Sequence, residues 1–72
     1  MDRTERFYLI QRMLRTRRFV PIATFLRELE ISRATFKRDI EYMRDRLNVP
    51  IEWDRDAGGY RYTDGAAERE LP

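Results

Sequence analysis

Hydrophobic positions recur at helical spacing over the first two thirds of the chain and then switch to a period of two. From Arg3 to Arg15, Phe7, Ile10, Met13 and Leu14 form one apolar stripe; Tyr8 and Leu9 widen it, and Arg6, Gln11, Arg12 and Arg15 face outward. Asp2 followed three residues later by Glu5 is a capping-box-like start for this helix. Arg17-Arg18-Phe19-Val20 is a short link in which Phe19-Val20 fits a single extended turn of strand. Pro21 stops any helix arriving from its N-terminal side and fits the first turn of the next. A second helix is predicted from Ile22 to Glu30, with Ile22, Phe25, Leu26 and Leu29 inward. After the brief interruption Glu30-Ile31-Ser32, Ser32 is a good N-cap for a third helix, Ser32 to Leu47, in which Phe36, Ile40, Met43 and Leu47 make one buried stripe. Asn48 tolerates the left-handed conformation that ends helices, and Pro50 prevents continuation.

Beyond Pro50, Ile51 and Trp53 alternate with Glu52 and Asp54, and Tyr60 and Tyr62 alternate with Arg61 and Thr63. Asp56-Ala57-Gly58-Gly59 reads as the turn between two strands, with glycines for positive φ. The expected architecture is mainly α, a winged helix-turn-helix of three helices followed by a C-terminal two-stranded β-wing. Residues 1–63 form the domain. Residues 64–72 lose all periodicity and read as a linker.

Composition narrows the chemistry. A chain of 72 residues accommodates one domain, and one this small buries only about 60% of its unfolded surface. It has neither cysteine nor histidine, which excludes disulfides, thiolate zinc sites and histidine-containing triads. No cofactor, metal or small-molecule ligand is expected, and paired acids such as Glu52 and Asp54 have no partner chemistry for an enzyme. No run approaches the roughly 20 apolar residues of a membrane span, and the charged N-terminus lacks a secretory h-region, so a cytoplasmic protein is expected.

The net charge is only +2, but it is unevenly placed: residues 1–20 carry six arginines against two acids, whereas residues 48–63 carry two arginines against three acids. All but one of the basic residues are arginine, the exception being Lys37. Arginine suits bidentate contact with phosphate and guanine. Composition alone does not separate a nucleic-acid surface from an ordinary solvated one; the order of elements does more. A three- to four-residue turn between the second and third helices makes them cross steeply, so that the third presents its N-terminal end outward, where the major groove admits it.

That end reads Ser32-Arg33-Ala34-Thr35, then Lys37-Arg38. Arg33 and Arg38 suit guanine or phosphate, Ser32 and Thr35 suit phosphate near the helix N-terminus, and Ala34 suits a thymine methyl. On the wing, Arg55 and Arg61 are candidate phosphate contacts, and the cluster Arg15, Arg17, Arg18 is another. An ordinary amphipathic core helix remains open for the third helix, its solvent face held by pairs such as Arg38 with Glu41 and Glu41 with Arg44. For the wing aromatics the corresponding reading is that Ile51, Trp53, Tyr60 and Tyr62 close the core and cover the third helix. Asp39 is awkward on a DNA-facing surface and is expected to pair with an arginine such as Arg6, Arg12 or Arg15. A winged helix that contacts another protein instead of DNA is the main alternative, against which the basic Ser32–Arg38 stretch argues.

The blocks Ser32-Arg33-Ala34-Thr35, Lys37-Arg38-Asp39-Ile40 and Gly58-Gly59-Tyr60-Arg61, in this order and spacing, resemble the N-terminal helix-turn-helix of bacterial WYL-domain transcriptional regulators, a domain similar to the heads of DeoR-type regulators and biotin repressors. The resemblance spans about residues 3–63. It implies sequence-specific binding of double-stranded DNA, with helix 32–47 in the major groove. It also implies a homodimer in a longer protein whose effector-sensing domain follows the linker, and nucleoid association when bound. Glu30 stands where such regulators usually have glycine, and a left-handed residue there costs on the order of 1 kcal/mol. Asn48 is a milder departure of the same kind. Arg69-Glu70-Leu71-Pro72 resembles the end of the linker into the middle region of those regulators.

Overall fold

The computed structural model describes residues 1–63; the tail, residues 64–72, with the linker reading placed on it, lies outside the described residues. The elements are α1 (Arg3–Thr16), β1 (Val20–Pro21), α2 (Ile22–Leu29), α3 (Arg33–Asp45), β2 (Ile51–Asp54) and β3 (Gly59–Tyr62). Mainly helical, with a small antiparallel sheet after the third helix, this is the winged helix-turn-helix expected from the pattern. The wing, however, is three-stranded, in the order β1-β3-β2. Val20 lies opposite Tyr60 and Pro21 opposite Gly59. The extended Phe19-Val20 turn thus joins the hairpin as an edge strand, and Pro21, which has no N–H to donate, is tolerated at that edge.

Local chemistry sets the helix ends. The Asp2 carboxylate accepts the Glu5 N–H at 2.8 Å and starts α1. The Ser32 hydroxyl accepts the Thr35 N–H at 3.1 Å and starts α3, a cap of about 1 kcal/mol. Two non-glycine residues take positive φ, Glu30 at 54° and Asn48 at 55°, both just past helix ends. The left-handed turn at Glu30 is therefore made despite its side chain.

One core joins all six elements. Phe25 of α2 stacks on Phe36 of α3 with centroids 4.7 Å apart, and Tyr60 of β3 meets both rings edge-on at 6.3 and 5.6 Å. Ile10, Val20, Ile40 and Met43 complete the fully buried set. Each such side chain contributes about 1.5–3 kcal/mol on leaving water. On the far side of the core, the Tyr62 hydroxyl donates to the Gln11 carbonyl at 3.3 Å and ties β3 to α1.

Several sequence expectations are corrected. The third helix ends at Asp45, and Leu47 is 46% exposed rather than core. The Val49 N–H bonds back to the Met43 carbonyl at 2.9 Å past the left-handed Asn48, and partly buried Val49 packs against the core. Tyr8 is exposed, so the apolar face of α1 widens only through half-buried Leu9. Arg6, expected to face outward, is half-buried. Trp53 touches Tyr60 at 4.9 Å yet stays 44% exposed toward the turn end of the hairpin, unlike buried Ile51, Tyr60 and Tyr62. Gly59 lies in β3 rather than in the turn, because β1 pairs with it there.

Candidate nucleic-acid interface

The helix-turn-helix is built around the three residues Glu30, Ile31 and Ser32. The Ile31 N–H bonds to the Leu26 carbonyl at 3.3 Å, so α2 closes on itself before the chain reverses direction. Ser32 then donates its hydroxyl to Thr35 Oγ1 at 3.1 Å while accepting the Thr35 N–H. With Thr35 Oγ1 already accepting, its own O–H is left to donate outward.

Successive residues of α3 step by about 100° around its axis, which sorts its side chains into three directions. Phe36, Ile40 and Met43 point into the core. Asp39 is also buried, and it turns toward α1, where Arg6 holds it with two hydrogen bonds, Nε to Oδ2 at 2.6 Å and a terminal nitrogen to Oδ1 at 3.1 Å. The side chains are 17% and 6% exposed. These hydrogen bonds raise the Arg6 guanidinium above its ordinary pKa against the opposing effect of burial. Of the three arginines proposed for Asp39, the structure selects Arg6.

With Asp39 neutralised from below, the outer surface of the first two turns is Ser32, Arg33, Ala34, Lys37 and Arg38, all exposed, with Thr35 half-buried beside them. Among the described residues, Arg33, Lys37 and Arg38 form no ion pair. The pairs of Glu41 with Arg38 and Arg44 anticipated for a purely structural helix are not formed. Beyond Arg38 the exposed acids Glu41 and Asp45 alternate with half-buried Arg44 and exposed Arg46, so the stretch of exposed cations free of acids ends at Arg38.

Strand β3 packs against one flank of this helix. Burial pushes the Tyr60 phenol up, Arg44 pulls it down, Glu41 pushes it up and Arg33 pulls it down, so the hydroxyl lies within the field of that flank. The outer face of the hairpin behaves differently from α3. Glu52 and Arg61 are directly opposed across the strands. Arg61 sits between the carboxylates of Glu52, 3.8 Å away, and Asp54, in closer contact. The turn is fastened by Asp54, whose carboxylate accepts the Ala57 N–H at 3.0 Å, and by Gly58 at φ 71°. Arg55 is exposed on that turn. In the cluster at the end of α1, Arg17 is forked onto Glu28 at 3.0 and 3.2 Å, a contact that draws the Glu28 carboxyl below its ordinary pKa.

Two residues the sequence reading did not single out, Arg3 and Tyr42, come together beside Thr35 and Arg38 at a groove between α1 and α3. They are far apart in the chain, and no local pattern signals the contact. Among the described residues, no cluster of acidic side chains could hold a metal ion, and no helix is long and apolar enough to cross a membrane.

The family model described as "HTH domain" matches residues 5–61, which takes in all three helices and the hairpin up to Arg61. No curated protein and no solved structure matches the chain. On a match of that extent, over the fold just described, the chain belongs to the HTH domain family and carries a DNA-binding helix-turn-helix.

Proposed function

We propose that this chain is the DNA-binding head of a bacterial transcriptional regulator of the WYL, DeoR-like kind, and that it reads double-stranded DNA in a sequence-specific way. The supporting observation is the separation of charge on α3: Asp39 turned inward onto Arg6, with Arg33, Lys37 and Arg38 exposed and without carboxylate partners among the described residues. Arg33 and Arg38 lie about 140° apart around the helix, too far to share one base pair. Arg38, with Ala34, faces away from the core and is the base-reading side chain, bidentate to guanine, while Ala34 meets a thymine methyl. Arg33 and Lys37 flank it on the wing side. Ser32 and Thr35 hold a phosphate, Thr35 through its free O–H. Arg55 is the wing's phosphate contact; Arg61 serves as one only by leaving Glu52 and Asp54.

A single module of this size buries about 600–1,000 Å² of protein surface on DNA, so one head binds weakly. A homodimer of a longer cytoplasmic protein supplies two heads to a symmetric operator, and its effector is sensed outside these residues.

The test is selection of a duplex from a random pool with an artificially dimerised chain, followed by titration of wild type and Arg38→Ala on selected and random duplexes. Arg38→Ala loses about 1–3 kcal/mol on the selected duplex alone. Equal loss on both duplexes makes Arg38 a phosphate contact. Wild-type binding indifferent to salt, or absent, sinks the DNA reading in favour of a protein-binding winged helix.

A further inference from the structure

Arg3 opens α1, where a cation opposes the helix dipole, so helix stability does not explain its placement. Its guanidinium carbon lies 3.9 Å from the centroid of the Tyr42 ring and 5.2 Å from that of Phe7. The two rings stack on each other, 5.7 Å apart and 24° from parallel. Tyr42 is thus a half-exposed aromatic with the Arg3 guanidinium seated against it and beside Phe7. A guanidinium laid on a ring keeps its N–H edge in its own plane, free for an anion. Among the described residues no carboxylate pairs with Arg3.

We infer that Arg3, seated on Tyr42, is a second phosphate-binding edge that clamps the DNA backbone along the α1 side of α3. This rests on the DNA-binding function proposed above and extends it to a residue outside the helix-turn-helix. The geometry behind it is a groove of about 590 Å³ into which Arg3, Thr35, Arg38 and Tyr42 all open. An α-helix with its side chains is about 10–12 Å across and the major groove about 12 Å wide, so the flanks of an inserted helix meet the phosphate walls. The α1-side flank of α3 runs from Thr35 to Tyr42, and Arg38 and Tyr42 are one turn, about 6 Å, apart along the axis. A phosphate beside Thr35 and Arg38 therefore has a neighbour on the same strand within reach of Arg3. The acids lining the groove do not occupy that position. Asp39 is held by Arg6, Glu41 is turned about 100° from Tyr42, and Asp45 lies a turn further on.

Tyr42 acts through Arg3 and is a positioning residue. The 72-residue chain is titrated on a selected and a random duplex over a series of salt concentrations, and each variant's folded fraction is checked by thermal melting. Arg3→Ala weakens binding about three- to ten-fold on both duplexes and makes the log K against log salt slope shallower by about 0.9. Tyr42→Phe, which keeps the ring, binds like wild type. Tyr42→Leu shows part of the Arg3→Ala loss and adds nothing to it in the double variant, because its effect runs through the same contact. An unchanged slope for Arg3→Ala, a loss confined to the selected duplex, or additive losses in the double variant overturns the inference while leaving the DNA-binding reading intact. A wild-type chain with no salt-dependent binding overturns both.

Discussion

The first two turns of α3 and the β2–β3 hairpin carry similar side chains to opposite effect. Each region mixes arginines with carboxylates, and each holds residues proposed to contact DNA. On α3 the one carboxylate among the early positions, Asp39, is drawn under the surface by Arg6, an arginine from another helix. Its neighbours Arg33, Lys37 and Arg38 are left outside with their charges uncompensated by ion pairs among the described residues. On the hairpin the pairing stays within the element and on the surface. Arg61 is shared by Glu52 and Asp54 across the strands, and Arg55 is what remains. Both regions offer arginines, but a count of charges does not say which of those arginines are available. Where each carboxylate finds its cation separates a surface with available cations from a braced edge.

The strongest way to break this contrast is to remove the cation that hides Asp39. Arg6→Ala leaves a carboxylate 6% exposed with no partner, which costs about 3 kcal/mol. Urea unfolding reads that loss, and a change below about 1 kcal/mol would show that the pair does not anchor α3 to α1. On the other side, Gly59→Ala attacks the seat of the wing. A Cβ there would collide with the Val20 carbonyl oxygen and come within 2.5 Å of the Phe19 ring. Neither the backbone of β1 nor the half-buried ring has an easy escape, so a loss of about 2–3 kcal/mol is expected. Retention of wild-type stability would mean that β1 is not fixed on β3.

These two positions also mark what could be read from the chain alone. Phe36, Ile40 and Met43 are visible because a helix repeats its inward face every three or four residues, and Ser32 because a hydroxyl before such a run satisfies a free N–H. Asp39 could be anticipated as paired because an acid among exposed cations needs a reason, but its partner depends on how α1 crosses α3. The same tertiary dependence hides the rest. Strand β1 has two residues, too few to show a period. Leu47 fits the stripe numerically, yet the helix stops short of it at a left-handed Asn48. The commitment of Arg61 to Glu52 and Asp54 follows from strand register, and the meeting of Arg3 with Tyr42 from the packing of α1 on α3. The helix starts and the inward face of α3 were therefore legible, while the end of α3 and the ion pairs that decide which arginines are available were not.

A smaller change sharpens the contrast in charge. Replacing Glu52 by Gln and Asp54 by Asn together releases Arg61 and moves the 48–63 region from one excess acid to one excess base. If the wing lies near the DNA backbone, the released guanidinium gains a phosphate, and the salt slope steepens by about 0.9. The same double variant with an unchanged slope would place the wing's outer face away from DNA and confine the interface to α3 and its α1 flank.

The two regions differ last in the residue that makes each turn. The wing turns through Gly58 at φ 71°, where the absence of a Cβ makes the left-handed conformation inexpensive. The helix-turn-helix turns through Glu30 at φ 54°, where the Cβ crowds the following carbonyl at about 1–2 kcal/mol. Glu30 is exposed and forms no ion pair among the described residues, so no contact of its carboxylate offsets that strain. Glu30→Gly relieves it but gives the unfolded chain more freedom to lose, so the net gain is about 0.5–1 kcal/mol. Asn48→Gly gains less, because asparagine already tolerates this region. Thermal melting of the two variants tests the order. If Glu30→Gly destabilises the domain, the turn before α3 is held by something the glutamate side chain supplies, and the strain assigned to it is not there.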